Sequence, residues 1–272
     1  MTAYRPCVLC AGRTRETEFT LPMGTVVRCH GCSLVSMVGR TGELVRCSYD
    51  ERYYRRADAP GPGYSDYFGA QEAVRREISC ALADTVLSLA PAAQHVLDLG
   101  CGGGFLVDAM VERGVGATGL DGSEHAIEQA RAHGGGGRYL RAGIGAADLP
   151  AAAPFDVVTL IDVIEHLPDP VEALRWAAGL TAPEGKIVLL TPRYGGRLLS
   201  EQGAAYVHFN SDHMYYFTES TLRAIITRAI GPALTRIEDV LTLVRKQNVA
   251  IPDSMARKYG VDRESMLATV TL

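Results

Sequence analysis

Three groups of residues in this chain have the types and spacings that chemistry needs. The first is four cysteines, in Cys7-Val8-Leu9-Cys10 and Cys29-His30-Gly31-Cys32. Two thiolates three positions apart on a tight turn hold one edge of a tetrahedron, and a second such turn closes it. The eighteen residues between the pairs suit a zinc ribbon. All four corners are then filled, so the metal is structural. Four unrelated thiols would not explain two matched pairs, and His30 competes less well than Cys32 for the last corner. The second group is Val96-Leu97-Asp98-Leu99-Gly100-Cys101-Gly102-Gly103-Gly104, followed by Asp121 at the end of the next apolar run. Glycines let the backbone approach a ligand closely, and an acid at this distance grips a ribose diol. No Lys-Ser/Thr follows the glycines, so this is not a phosphate-gripping loop. The bland alternative is a tight turn between packed elements. The third group is Asp162, Glu165 and His166, joined later by His213. An imidazole with a pKa of about 6.5 suits a general base. Carboxylates with imidazoles also suit a divalent cation, and a Glu-His pair can simply brace a loop.

Alternating elements are needed to bring these groups together. Apolar runs at 95–99, 116–121, 138–142, 155–161 and 186–191 read as strands. Helical patterns at 105–113, 123–133 and 170–180 lie between them, the last with Asp169 as cap, Pro170 at its first position and Glu172 placed for a capping box. This alternation predicts a parallel sheet with helices on both faces, which puts the ends of its strands beside one crevice. An amphipathic helix over 69–89 precedes the sheet, with Ala73, Ile78, Leu82, Val86 and Leu89 on one face. After a helix at 219–230, begun by a Thr218 cap, two strand-like runs, 234–240 and 243–245, lie close together and suggest one antiparallel strand. From 248 to 272 the chain reads as a polar tail with at most one helix.

Residues 49–68 are aromatic and basic: Tyr49, Tyr53, Tyr54, Arg55, Arg56, Tyr64, Tyr67 and Phe68. Pro60-Gly61-Pro62-Gly63 interrupts them as a hinge. They read equally well as a solvated connector or as a lid whose phenols bond a substrate. With 272 residues, 47% hydrophobic, and a net charge of −4, the chain suits a globular core plus an appendage and argues against non-specific nucleic-acid binding. No apolar run approaches the roughly 20 residues a membrane span needs, and no apolar leader is visible, so a cytoplasmic protein is expected. Seven cysteines, an odd number, argue against a disulfide framework. Cys47, Cys80 and Cys101 read as small apolar residues.

Further motifs occur in order: Gly119-Leu120-Asp121, Asp148-Leu149-Pro150, Phe155-Asp156-Val157-Val158 and Asp162-Val163-Ile164-Glu165-His166-Leu167-Pro168-Asp169-Pro170. With the glycine loop, this ordered set resembles the class I S-adenosylmethionine-dependent methyltransferases of the small-molecule type, over residues 70–246. An NAD-binding enzyme would account for the glycines alone and not for the Glu-His motif. The resemblance implies a Rossmann-like, seven-stranded, mostly parallel sheet with the zinc ribbon appended. It implies that Asp98, Gly100, Cys101 and Gly102 line the methionine end, that Asp121, followed by Gly122, takes the ribose hydroxyls, that Gly143 and Ile144 flank the adenine, and that Ile161 lends backbone near the sulfonium. A sulfonium and a zwitterionic methionine carry no phosphate, in keeping with the missing lysine. The carboxylate-x-x-Glu-His pattern with a later histidine is similar to the metal motif of small-RNA 2′-O-methyltransferases and ubiquinone-pathway O-methyltransferases, here with Asp162 in place of Glu. The layout of ribbon plus core is similar to that of deoxysugar C-methyltransferases, which use Tyr, Glu and His near the substrate.

The expected organisation is a zinc ribbon at 1–48, an aromatic lid and connecting helix at 49–92, a cofactor-binding core at 93–247 and a tail at 248–272. The expected activity is methyl transfer to oxygen or carbon of a small molecule in natural-product biosynthesis. His166 or His213 serves as base, with Glu165 and Tyr67 beside the substrate. A second divalent metal at Asp162, Glu165, His166 and His213 ranks behind the base, and bracing ranks third. Arg5, Arg13, Arg15, Arg28, Arg40 and Arg46 make the ribbon basic, which keeps an RNA methyltransferase as the rival enzyme. A non-catalytic ribbon that binds the cofactor is the rival outside enzymes.

Overall fold

A computed structural model of the chain describes residues 5–39, 49–55, 63–145, 154–247, 249–252 and 265–272. Arg40, Arg46, Cys47, Arg56, the hinge residues 60–62, the Asp148-Leu149-Pro150 motif and residues 253–264 of the expected tail lie outside the described residues.

Seven strands form the main sheet: β4 (His95–Leu99), β5 (Gly116–Asp121), β6 (Arg138–Arg141), β7 (Phe155–Ile161), β8 (Thr181–Pro192), β10 (Leu234–Asp239) and β11 (Ser265–Thr271). Their order is β10-β11-β8-β7-β4-β5-β6. The five strands β4 to β8 are parallel, and β11 runs antiparallel to both its neighbours. The central strands are buried on both faces, which is why Val96-Leu97 and Val157-Val158 read as continuous apolar runs. The chain leaves β4 towards β5 and β6 on one side and returns to β7 on the other. The carboxyl ends of β4 and β7 therefore flank the switch point where such sheets hold ligands.

Helices cover both faces. On one face α2 (Glu72–Leu89), α3 (Phe105–Glu112) and α8 (Val240–Lys246) bury Leu82, Val86, Val107, Met110, Val240 and Val244 against the sheet, with α4 (Glu124–His133) adding Ile127 and Ala130. On the other face α5 (Pro170–Leu180) and α7 (Glu219–Ile230) bury Leu174, Ala177, Leu222 and Ile225. The Asp169 and Thr218 caps read from the sequence are in place, while Glu172, expected to close a capping box, pairs instead with Arg175 at 3.1 Å. Asp169 Oδ1 accepts from the N–H of Val171 and Glu172 at 3.1 and 3.0 Å, with Pro170 opening the helix. Thr218 and Thr221 form a capping box on α7.

Two expectations at the C-terminal end give way. Residues 243–245 are not a strand but the last turns of α8. Val240, Leu241, Leu243 and Val244 are buried at helical spacing, and Asp239 Oδ1 caps the helix through Thr242 N–H at 2.9 Å. The antiparallel strand comes instead from the segment expected to be a tail. β11 inserts between β8 and β10, and Met266, Leu267, Ala268 and Val270 are fully or nearly fully buried. The run Met266-Leu267-Ala268 with Val270 is apolar but lies at the end of a polar stretch of sequence, and its place between β8 and β10 is what covers it.

The ribbon is a second, antiparallel sheet of β1 (Arg15–Leu21), β2 (Gly24–Cys29) and β3 (Val35–Val38). Its fourth strand, β9 (Tyr215–Tyr216), belongs to the connection between β8 and α7. The ribbon is thus joined to the core by strand pairing. Cys7, Leu9, Cys29 and Leu34 are buried in the same cluster as Ile164, Met214 and Phe217.

Candidate active site

The β4 carboxyl end turns through the glycine loop into α3. Gly100 and Cys101 N–H both donate to Leu120 O, at 2.7 and 3.1 Å, which holds the loop against β5. Gly102 has φ +51°, and a Cβ there would meet Tyr67 Oη at 2.9 Å, so only glycine lets the aromatic segment close over the loop. Asp98, Gly100, Cys101, Gly102, Asp121, Gly122, Gly143, Ile144, Ile161, Tyr67 and His166 line one cavity of about 470 Å³. The candidate cofactor residues and one acid–base candidate thus share a single space. Tyr49, Tyr53, Tyr54 and Tyr64 complete its roof, and Asp162 lies on its wall with a left-handed φ of 53°.

Two carboxylates define the floor. Asp121 Oδ2 accepts from Gly102 N–H at 2.9 Å and Oδ1 from Ser123 N–H at 2.8 Å. Each oxygen keeps a lone pair for a diol. Burial raises the Asp121 pKa against the pull of those two N–H groups. Asp98 is more deeply buried, and burial pushes its carboxyl up to about 7. Thr159 Oγ1, donating to Asp98 Oδ1 at 2.6 Å, lowers it, and the Asp121 charge raises it. A cationic ligand above this floor would hold both acids ionised. Burial raises the Cys101 thiol well above its ordinary value, in keeping with an unreactive small side chain.

The positive charge over the site comes from Arg75 on α2. Its guanidinium lies 4.1 Å from the Tyr64 ring centre and 3.9 Å from that of Tyr67. Nη2 donates to Gln71 Oε1 at 3.1 Å, while Nε is buried without a hydrogen-bond partner among the described residues. A ligand carboxylate beside Tyr67 would meet that guanidinium.

His166 Nδ1 lies 2.9 Å from Asp212 O. A carbonyl only accepts, so Nδ1 carries the proton and Nε2 holds the lone pair. Burial lowers the His166 pKa, which keeps the ring neutral and basic near pH 7. Glu165 and His213 stand behind it, off the cavity. Thr191 Oγ1 donates to Glu165 Oε2 at 2.9 Å, and Glu165 Oε1 is 4.0 Å from His166 Nε2. The His213 ring is 4.7 Å from that of His166, and burial lowers its pKa far below the ordinary value. Donor atoms of Glu165, His166 and His213 all lie within 4.8 Å of one another, and Asp162 is not among them.

The four ribbon cysteines also converge. Their sulfurs lie within 4.8 Å of each other, with Cys7–Cys32 and Cys10–Cys29 both at 3.5 Å. A tetrahedron with Zn–S bonds of about 2.3 Å has edges of about 3.8 Å, so the set fits a zinc ion. Burial raises the Cys7 and Cys32 thiols; at Cys29 it is outweighed by the Gly31 N–H and the Cys10 thiol, which bring that group down to about 7. A cation among the four would favour the thiolate at each.

Arg75, Thr159, Thr191 and Asp212 escaped the sequence reading. The two threonines had a faint signal, as polar side chains within buried strand runs. Arg75 looked like any exposed helix residue, and Asp212 acts through its carbonyl, which no side-chain pattern reveals.

Comparison with known proteins follows this geometry. Residues 73–229, more than half of the chain, match the family described as Methyltransferase domain. A ubiquinone biosynthesis O-methyltransferase of Stutzerimonas stutzeri is 40% identical over 109 residues, covering 37% of this chain and 45% of that protein. One from Ralstonia nicotianae is 37% identical over 143 residues, covering 48% and 58%. The chain thus spans about half the length of the curated relatives it matches. Among solved structures, the plantazolicin methyltransferase BpumL, bound to a triazolic desmethylPZN analog and SAH, superposes with a TM-score of 0.57 at 17% identity, over 74% of this chain and 87% of that one. At that identity the likeness speaks for the fold alone. The motifs, the seven-stranded sheet with its antiparallel β11 and the family match agree: the protein belongs to the methyltransferase domain family, in its class I form.

Proposed function

We propose that the protein transfers the methyl group of S-adenosylmethionine to an oxygen or carbon of a small acceptor. The observation that carries this reading is the single cavity, which joins an acidic floor, an overhead guanidinium and a neutral histidine. The ribose falls to Asp121, the ammonium and sulfonium to the floor around Asp98, and the methionine carboxylate to Arg75. When bound, the cofactor supplies an electrophilic methyl carbon. The chain aligns an acceptor with it and excludes water beneath the tyrosine roof, so that positioning does most of the work. His166 Nε2 takes the acceptor proton, in the tautomer set by Asp212 O. Tyr67 lies over Gly102 and would close the pocket above the glycine loop, while Glu165 and His213 stand behind His166.

The O-methyltransferase names of the relatives support oxygen as the acceptor atom. The aromatic-lined cavity supports a small, ring-bearing acceptor, of the kind natural-product pathways supply. The ribbon arginines favour this over RNA: Arg28 pairs with Glu18 at 2.5 Å, and Arg15 caps Gly12 O at 2.8 Å, so both are engaged within the protein. No described helix is long and apolar enough to cross a membrane, which accords with a cytoplasmic enzyme. Zinc at Cys7, Cys10, Cys29 and Cys32 is part of this reading. The convergence of Glu165, His166 and His213 favours a second one, in which a divalent cation held by these three orients the acceptor oxygens.

The test is S-adenosylhomocysteine formation across phenols, catechols and β-dicarbonyl acids, with and without added Mg²⁺ in desalted protein that retains its ribbon metal. Turnover that His166→Ala lowers at least a hundredfold supports the base. Turnover in His166→Ala equal to wild type would refute it, and activity strictly dependent on the added cation would favour the metal.

A further inference from the structure

No described residue of the ribbon lines the cavity, yet a continuous path of backbone bonds leads from its cysteines to the acceptor side of the site. Cys29 ends β2, and the turn that follows closes through Cys29 N–H to Leu34 O at 2.9 Å and Ser33 N–H to Cys29 O at 2.8 Å. Cys32 lies in that turn, and β3 begins three residues later. β3 then pairs with β9, Val35 opposite Tyr216 and Ser36 opposite Tyr215, and Met37 N–H donates to Met214 O at 3.0 Å.

The β9 segment is in turn bonded to the loop after β7 at three points. Met214 N–H donates to Glu165 O at 2.9 Å, His166 Nδ1–H to Asp212 O at 2.9 Å, and Tyr215 Oη to Pro168 O at 3.1 Å. Met214 also lines the cavity. Beyond β9, Phe217 is held separately by the segment just after β8, through Tyr194 N–H to Phe217 O at 2.8 Å. Residues 212–216 therefore rely on β3 for their own strand partner. The first knuckle adds little ladder. Its turn closes on itself through Cys7 N–H to Gly12 O, and its thiols meet those of the second knuckle at 3.5 Å. β3 is held by its ladder to β2 and by the burial of Val35 and Met37 in one cluster with Tyr194, Tyr206 and Tyr216, while the two knuckles have little ladder of their own, so the ion supplies what fixes them and the start of β3.

We propose that the ribbon is the brace of the acceptor half of the active site: metal held by its four cysteines fixes β3, and β3 fixes the 212–216 segment that orients His166 and places His213 and Met214. The inference rests on the reading of the cysteines as a metal site. The cofactor half, built from Asp98, the glycine loop and Asp121, stands on the main sheet and is independent of the ribbon.

The test uses the full chain before and after removal of metal by a chelator, which reaches the site through the exposed Cys10. Metal content, amide exchange, the ring N–H signal of His166 and calorimetric binding of S-adenosylhomocysteine are measured on the same samples. The expected result is about one zinc per chain. On its removal, exchange at Met37 and 214–216 rises at least tenfold and the His166 Nδ1–H signal is lost, while cofactor-product affinity changes less than twofold. Added zinc restores both. Where stripping aggregates the chain, Cys10→Ser at the exposed corner gives the same comparison. Unchanged exchange at 214–216 after metal loss overturns the brace, as does parallel loss of cofactor-product binding, which would show that the metal holds the whole fold. Protein that neither contains nor takes up zinc overturns the metal reading, and the brace with it.

Discussion

Asp98 is a buried acid whose charge is costly until a cation arrives, and its replacement by asparagine makes this measurable. Its folded pKa of about 7 exceeds the ordinary 3.8, so the folded protein binds this proton more tightly than the unfolded chain does. The cost of ionisation is absent below about pH 4, grows as pH rises and is complete above about pH 7. Three pH units at about 1.4 kcal/mol each make it about 4 kcal/mol at pH 8. At pH 5 it is only about 2 kcal/mol. Asparagine keeps the bond from Thr159 but strands an amide N–H, at a cost of about 1.5 kcal/mol. Asp98→Asn is therefore expected to stabilise the ligand-free protein by about 2–3 kcal/mol at pH 8 and to leave it nearly unchanged at pH 5. Urea unfolding at both pH values, with equal m-values, is the assay. The same variant should bind S-adenosylhomocysteine at least tenfold more weakly, because the ligand's ammonium loses its anion. Equal shifts at the two pH values, or destabilisation at pH 8, would refute the argument.

Arg75→Gln should weaken S-adenosylhomocysteine by about 10–100-fold, the worth of about 1.5–3 kcal/mol for a charge-assisted bond to a carboxylate, with the melting temperature nearly unchanged. Calorimetry checks it, and a loss no greater than threefold would remove Arg75 from the cofactor site. Gly104→Ala is a purely structural probe. Gly104 has φ +75°, and a Cβ there would lie 2.4 Å from Tyr139 Cε1. Strain and overpacking together should cost about 2–4 kcal/mol in urea unfolding.

The sequence made the main sheet legible because its strands are buried on both faces and its helices carry strong caps. The residues that line the candidate cofactor cavity were legible for a related reason: a glycine loop and a strand-end acid are local signals at fixed spacing. What escaped depends on the rest of the chain. β11 has an ordinary run of apolar residues, and only the gap between β8 and β10 makes it a strand. Residues 243–245 are too few to distinguish strand from helix until Asp239 caps them. The separation of His166, on the cavity, from Glu165 and His213, behind it, arises from the short helical turn at 164–166 and the pairing of β9, neither of which leaves a spacing to read. The ribbon's cysteines were plain, but its attachment through β9 is a two-residue strand contact far apart in the chain.

The central claim is that the cavity between β4, β5 and β7 is a nucleoside–methionine site anchored by Asp121. Its most direct test is calorimetric titration of S-adenosylhomocysteine into wild-type protein and Asp121→Ala, both confirmed folded by circular dichroism. One site per chain is expected in the wild type, and at least hundredfold weaker binding in the variant, from the loss of two charge-assisted bonds to the ribose. No binding to the folded wild type, or equal binding to Asp121→Ala, would contradict it.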